Sequence, residues 1–353
     1  MLQPDTSFDL FLPEQIQELT GDTAWQFEQV KRRLLDYYHQ HHYQLVFPPC
    51  IEYLDTFLNH GVADLDLQTF RLTDPGTGKM LAVRSDFTAQ VIRIDAQLQL
   101  NQRPEQVNRF CYVGELLHTN AAHSFRCRNP VQTGMEIFGN AILAKGIQAD
   151  LEVVAHLLHS LEILGIRDVC LDIGHTAILK PLIQDAGFPD AVIKKLLSLI
   201  QAKNIAGIEN LLSAADIVDA SGNAATPSIC QTILDLVACY GGIEILERVA
   251  TIIRRSGNLQ SIAAMEELQH FAANLQHEYM QRNSMNLTLY FDPTELRGFS
   301  YHEGLIFSAV IAGIAKSVAT GGRYTGISTK KHQPRLATGF SMNLTQIMQM
   351  NTD

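Results

Sequence analysis

In the stretch VQTGMEIF, residues 131–138, the period-two alternation of a strand places Gln132, Gly134 and Glu136 on one face. Leaving a buried amide without a partner costs several kcal/mol, and a carboxylate more. This face is therefore either solvated or met by something that hydrogen-bonds to it, and a small cationic or amphoteric ligand would serve. On the strand alone both readings stay open, with the solvated face the simpler. Two further stretches carry comparable chemistry. In LAVRSDFTAQVIR, residues 81–93, a strand ends at Arg84, Ser85 can cap, and a helix begins with Asp86 in its first turn, where a carboxylate complements the helix dipole. Near the C-terminus, ELRGFSYHEGLIFSAV and SVATGGRYTGI bring a cation (Arg297), two phenols (Tyr301 and Tyr324) and the imidazole of His302 close to the backbone freedom of Gly321-Gly322. Singly, each of these is equally a satisfied core residue or a surface charge.

Other groups read as structural. His39, His41 and His42 close a helix, where cations face the negative end of the dipole, and nothing in the sequence makes them converge on a metal. His156 and His159, three apart on a helix, read as surface residues. Gly76-Thr77-Gly78-Lys79 lacks the full spacing of a phosphate loop and reads as a hairpin turn.

The elements that must position these groups follow from pattern. A helix opens at Gly21-Asp22-Thr23, capped by Asp22 or Thr23, with Trp25, Val30, Leu34 and Tyr38 near helical spacing. Tyr43 to Phe47 is a strand stopped by Pro48-Pro49, followed by the amphipathic stretch from Ile51 to Leu58. Residues 70–83 read as strand, turn, strand, and Arg109 to Val113 as the strand before the loop that leads to Gln132. Asp150 to Leu164 is a helix and Asp168 to Gly174 a buried strand. From His175 to about Asn283 apolar residues recur at helical spacing with no chemistry among them, and the sheet pattern returns at Asn286. The expected organisation is α+β: a core of residues 1–175 and 285–353, and a helical insertion over 176–284.

The chain has 353 residues, long enough for about two domains. A net charge of −10 leaves no excess of Lys and Arg to neutralise a nucleic-acid backbone. Its six cysteines include no Cys-x-x-Cys pair, so a disulfide or zinc framework is not expected and a reducing compartment is. No basic, apolar leader and no run of ~20 apolar residues is present, so the expectation is a cytoplasmic protein that does not enter a membrane.

Residues 108–140 as a whole resemble the second signature motif of the class II aminoacyl-tRNA synthetases in its histidyl form, with Gln132 and Glu136 at positions that hold the histidine ligand. The family's Arg-x-Glu is His118-Thr119-Asn120 here. Arg84 to Thr88 resembles the family's Arg-Pro-Glu-x-Thr, which implies that Asp86 and Thr88 receive the ligand's ammonium group. Arg297 to His302 and Gly321 to Tyr324 resemble Arg-Gly-x-x-Tyr-Tyr and Gly-Gly-Arg-Tyr, which implies Arg297 on the ligand carboxylate, and Tyr301 and Tyr324 around its imidazole. His302 replaces the second tyrosine of the pair. Leu344-Thr345-Gln346 stands where the third class II motif carries an ATP-binding arginine. The implied fold is a class II synthetase-like antiparallel sheet flanked by helices, dimeric through its first motif, with no anticodon-binding domain.

A synthetase-like chain that keeps its amino-acid-facing groups and lacks both ATP arginines resembles the regulatory subunits that partner the short-form ATP phosphoribosyltransferase. That resemblance implies no catalytic residues, no cofactor, no metal and no tRNA. It also implies a self-dimer that joins catalytic subunits in a hetero-oligomer, a hetero-octamer, in the first step of histidine biosynthesis, activating them and carrying feedback inhibition by L-histidine. The alternatives are a degenerate synthetase-like enzyme and an assembly subunit with a vestigial pocket.

Overall fold

A computed structural model describes residues 12–58, 68–99, 106–120, 127–140, 146–213, 227–280, 285–297, 302–314, 316–326 and 335–350. In chain order these form α1 (Gly21–Gln40), β1 (Gln44–Leu45), β2 (Ile51–Tyr53), α2 (Leu54–Leu58), β3 (Arg71–Thr73), β4 (Met80–Val83), α3 (Thr88–Gln99), β5 (Asn108–Glu115) and β6 (Val131–Phe138). Then come α4 (Gln148–Ile163), β7 (Asp168–His175), α5 (Thr176–Ala186), α6 (Asp190–Gln201), α7 (Ile205–Leu212), α8 (Pro227–Val237), α9 (Ile245–Ser256) and α10 (Leu259–Met280). The chain continues with β8 (Asn286–Phe291), β9 (His302–Ile311), β10 (Ala319–Thr325), β11 (Leu336–Asn343) and α11 (Leu344–Met350).

The main sheet has the strand order β1-β5-β6-β11-β10-β9-β7-β8. Its six central strands are antiparallel, while β1 on β5 and β8 on β7 pair in parallel at the two edges, so the sheet is antiparallel through the part that carries the candidate residues. A separate sheet, β2-β4-β3, leads into α3. Its β3–β4 turn is the expected hairpin, with Asp74 accepting from the Gly76 N–H at 2.9 Å and Gly78 left-handed at φ +70°.

Alternation gives the main sheet two different faces. Met135, Ile137, Leu171, Ile173, Phe307, Ala309, Phe340 and Met342 point to one side, in a continuous apolar core with Leu34 and Tyr38 of α1, Val154 and Leu158 of α4, and Leu268 and Phe271 of α10. Phe110, Tyr112, Phe138, Tyr324 and Ala337 point to the other, packing with Phe87, Val91 and Ile92 at and beside α3. Helix α10 shows why one element serves the core so fully: Ala264, Leu268, Phe271, Ala272 and Leu275 recur on one stripe of a helix and are all buried. Among the described residues, those from Thr176 to Met280 are helices and short connections.

Several local expectations change in three dimensions. Trp25 is 63% exposed, and Phe27, Val30, Leu34 and Tyr38 line the buried face of α1 instead. The N-cap of α1 is Thr20 and makes no side-chain capping bond, so neither Asp22 nor Thr23 caps. His156 is buried rather than exposed: α4 packs on α1, the Tyr37 hydroxyl meets His156 Nδ1 at 2.7 Å, and burial holds the imidazole down to about 4, neutral near pH 7. The expected five-residue strand after α1 is two residues long, because pairing with β5 ends where the chain turns into Pro48-Pro49. Among the described residues no helix is long and apolar enough to cross a membrane, and no group of three or more metal-ligating side chains converges.

Phe271 sits fully buried where α10 meets the sheet. Phe271→Ala should cost about 3–5 kcal/mol, and urea unfolding followed by far- and near-ultraviolet circular dichroism should still show one transition. Two resolved transitions, with the sheet surviving the first, would show that helices and sheet do not share one cooperative core.

Candidate functional site

The face of the sheet away from α4 and α10 carries the site. Cross-strand register lines up Tyr112, Gly134, Ser341, Thr320, Ser308 and Asp172 in one row across β5, β6, β11, β10, β9 and β7. The neighbouring row runs Phe110, Glu136, Gly339, Gly322, Ile306 and Gly174. Glycine and small hydroxyl residues thus floor the centre, and longer polar side chains rise around it.

Glu136 is the deepest of these, 2% exposed. Its Oε2 accepts from the Tyr324 hydroxyl at 2.9 Å and its Oε1 from the Tyr112 hydroxyl at 3.3 Å. Two glycines make that geometry possible. A Cβ at Gly339 would lie 1.7 Å from Glu136 Oε2, and one at Gly134 would lie 2.4 Å from the Tyr112 hydroxyl oxygen. Burial, reinforced by the Asp86 carboxylate and opposed by the tyrosine hydrogen bonds, pushes Glu136 up to about 8. The group therefore holds its proton at neutral pH while no cation is near.

Asp86 and Gln132 stand beside it. Gln132 Nε2 donates to Asp86 Oδ2 at 2.9 Å, and Gln132 Oε1 accepts from the Phe87 N–H at 3.3 Å. Asp86 Oδ1 accepts from the Thr88 N–H at 2.6 Å, so Asp86 lies just before α3 and caps it, while Ser85, the expected cap, pairs instead with the Thr69 hydroxyl at 2.9 Å. The partners that Gln132 and Glu136 required are thus supplied from within the protein. Sequence reasoning missed Tyr112, whose place opposite Gly134 depends on strand register.

Arg297 lies toward the far end of the row, where its guanidinium meets Ser308 and Asp172 and bonds Glu295 at 2.9 Å. β6 and β9 are three strand spacings apart, roughly 14 Å. Arg297 and Glu136 therefore bracket the floor instead of touching. Asp172 and Glu295, the two acids that hold Arg297, were not anticipated from sequence. His302 stands opposite Tyr324 in the register, their rings 6.5 Å apart. Its Nδ1 lies 3.1 Å from the Arg323 carbonyl, which can only accept, so Nδ1 carries the proton; burial lowers the imidazole to about 4 and keeps it neutral. Tyr301 lies outside the described residues.

Beyond Gln132 the face opens into a cleft of about 230 Å³, bounded by His118 and Cys127 on one side and by Lys316, Asn343 and Gln346 on the other. His118 donates its Nε2–H to the Ser85 carbonyl at 2.9 Å. Gln346 donates its backbone N–H to Asn343 Oδ1 at 3.0 Å and offers an amide. Lys316 is the one cation among the described residues that line this cleft, and no arginine lines it.

The antiparallel sheet carries a buried, glycine-floored polar group with an arginine-free cleft beside it, and residues 15–347 match the family model described as Histidyl-tRNA synthetase, so the protein is histidyl-tRNA synthetase-like. A sequence from Alkalilimnicola ehrlichii named ATP phosphoribosyltransferase regulatory subunit is 38% identical over 96% of this chain and 79% of its own length. Of solved structures, an ATP phosphoribosyltransferase regulatory subunit/histidyl-tRNA synthetase from Bacillus halodurans shares the fold with a TM-score of 0.79 at 21% identity, over 97% of this chain and 83% of that one. A chain of the ATP phosphoribosyl transferase (HisG:HisZ) complex from Thermotoga maritima does so with a TM-score of 0.63 at 20% identity, over 90% and 97%. The chain belongs to the ATP phosphoribosyltransferase regulatory subunit family.

Because folded Glu136 holds its proton up to about 8 and the unfolded side chain releases it near 4.5, unfolding above 4.5 expels a proton. The stability associated with this group is therefore complete below pH 4.5 and is lost as pH rises toward 8. In urea titrations from pH 5 to pH 8.5, Glu136→Gln should gain on the wild type as pH rises; parallel pH profiles for the two proteins would disprove the buried, protonated state. Gly339→Ala should destabilise by at least about 1–3 kcal/mol, the usual range for overpacking.

Proposed function

We propose that this chain is a regulatory subunit, without chemistry of its own, for a short-form ATP phosphoribosyltransferase, and that L-histidine is the effector it binds. The observation that carries this reading is the contrast along one face of the sheet. Glu136 with Tyr112 and Tyr324 over glycine forms a built recognition group. The adjoining cleft has His118 and Gln346 where the synthetases carry arginines. Charge-assisted hydrogen bonds are worth about 1.5–3 kcal/mol each. Losing two from a transition state removes several powers of ten in rate, at about 1.4 kcal/mol per power.

In this reading Asp86 and Thr88 take the ammonium group, Gln132 orients Asp86, and Arg297 meets the carboxylate through donors beyond those it gives to Asp172 and Glu295. Glu136, Tyr324, Tyr301 and His302 surround the imidazole. A histidine side chain that enters protonated would draw the proton off Glu136 and convert it to a carboxylate, so binding would release a proton near neutral pH. The relatives named regulatory subunits and the complex from Thermotoga maritima support assembly with a catalytic subunit in a cytoplasmic hetero-oligomer. Phe47 at 87% exposure, with Leu45, Ile51 and Tyr53 also exposed, supports a dimer formed through the first motif. Residues 176–284 are proposed as the insertion whose placement relative to the core differs between active and inhibited states.

One second reading is favoured by a specific observation. Gln132, Glu136 and Arg297 already satisfy one another's neighbours without a ligand, as they would in an assembly subunit whose pocket is vestigial.

Calorimetric titration separates the two. L-histidine should bind the chain, Glu136→Gln should weaken that binding, and the catalytic subunit should alter the affinity by a factor of about 5 to 150. Equal affinities with and without the catalytic subunit would exclude regulation through this pocket, and no binding at all would favour the assembly subunit. In an ATP/pyrophosphate exchange assay with histidine no signal is expected; exchange above the protein-free blank would identify an enzyme.

A further inference from the structure

One strand of the pocket continues, a single residue away, into a buried charge network on the other side of the sheet. Tyr324 of β10 donates to Glu136 on the pocket face. Arg323, the preceding residue, points to the opposite face, where its guanidinium meets Asp150 of α4, the Gly146 carbonyl at 3.2 Å and Glu267 of α10 at 2.8 Å. Asp150 is itself held by the Thr338 hydroxyl of β11 at 2.8 Å. Tyr324 and Arg323 thus tie the same short piece of backbone to the pocket on one side and to α10 on the other.

That piece is also where the sheet's ladder is interrupted. The β9–β10 register shifts between Gly322 and Tyr324, so the Arg323 carbonyl takes its bond from the His302 ring, not from strand backbone. The network behind it is incompletely bonded. Arg323 Nε and His175 Nε2 are buried and lack hydrogen-bond partners, while Glu267 Oε1 is engaged by the Arg323 guanidinium. His175 Nδ1 accepts from the Ala177 N–H at 3.2 Å, so its proton is on Nε2, which lies 3.6 Å from Glu267 Oε2, outside hydrogen-bond range. Two unmet buried donors on neighbouring side chains are costly and uncommon in a folded interior. A small shift of α10 would bring Glu267 Oε2, now 3.6 Å away, within hydrogen-bond reach of the His175 Nε2–H. The network therefore has a second, better-bonded arrangement close at hand, which a two-state element requires.

We propose that Arg323 and Glu267 couple the pocket to α10, so that a ligand engaging Glu136 and Tyr324 changes how tightly that helix is held against the sheet. The ligand's identity rests on the functional reading above; the coupling itself does not. Ring atoms that compete for the Tyr324 hydroxyl displace the strand, Arg323 moves with it, and its contacts with Asp150 and Glu267 realign. Glu267 touches no part of the pocket, so its loss should uncouple the two sides while leaving the site's own contacts in place.

Hydrogen exchange of the full chain, read by mass spectrometry over residues 259–280, tests this. Saturating L-histidine should change exchange in that helix by about fivefold or more, the lower end of typical coupling factors. Glu267→Gln should abolish the change while L-histidine still binds, its affinity altered by no more than the lost coupling factor. If histidine binds and the helix does not respond, or responds equally in Glu267→Gln, the coupling is refuted and the functional reading stands. If histidine does not bind, the functional reading fails and the empty protein decides. Tyr324→Phe removes the bond to Glu136, and a several-fold change of exchange over residues 259–280 would then support the coupling, whereas an unchanged helix would refute it.

Discussion

A carboxyl group almost wholly removed from water has to be met by donors, and Glu136 is met by two phenols that arrive from strands on either side of its own pair. Much of the site follows from that requirement. The phenols can reach it only if no side chain stands between, which is why glycine occupies positions 134 and 339. Burial then favours the neutral form of the acid. The pocket is consequently polar with a buried neutral acid at its base, a setting in which a cation gains more than it would in water.

The sheet separates two kinds of work. One face packs against α1, α4 and α10 with large apolar side chains and provides the cohesion. The other keeps a floor of glycine, serine and threonine, with α3 covering only the end nearest Phe87 and Ile92. Since side chains alternate strictly along each strand, the two faces cannot be altered independently of the strands that carry both. Tyr324 and Arg323, adjacent in sequence and opposite in direction, embody that link.

Within a fold shared with enzymes, the nature of this site depends on a few side chains. The sheet face is built from groups that support one another: Asp86 with Gln132, Glu136 with its tyrosines, Arg297 with Asp172 and Glu295. In the adjoining cleft His118 is spent on a backbone carbonyl and Gln346 is neutral. No compensating arginine enters from elsewhere among the described residues of the cleft.

Periodicity alone was enough to place the strand Val131–Phe138 and its Gln132, Gly134, Glu136 face, the helical run after His175 and the return of strands at Asn286, because amphipathic alternation is a local property. That positions 118 and 346 carry no guanidinium was likewise legible, since that depends on residue identity and not on geometry. Partners were beyond the sequence's reach. Tyr112 under Glu136, Asp172 on Arg297, the buried His156 and the exposed Trp25 depend on which strands and helices become neighbours, and pairs such as Asp172 with Arg297 or Tyr37 with His156, more than a hundred positions apart, meet only in the folded chain. Whether a polar face is solvated, satisfied internally or left for a ligand is likewise a tertiary decision, because it turns on hydrogen-bond distances that no single segment contains.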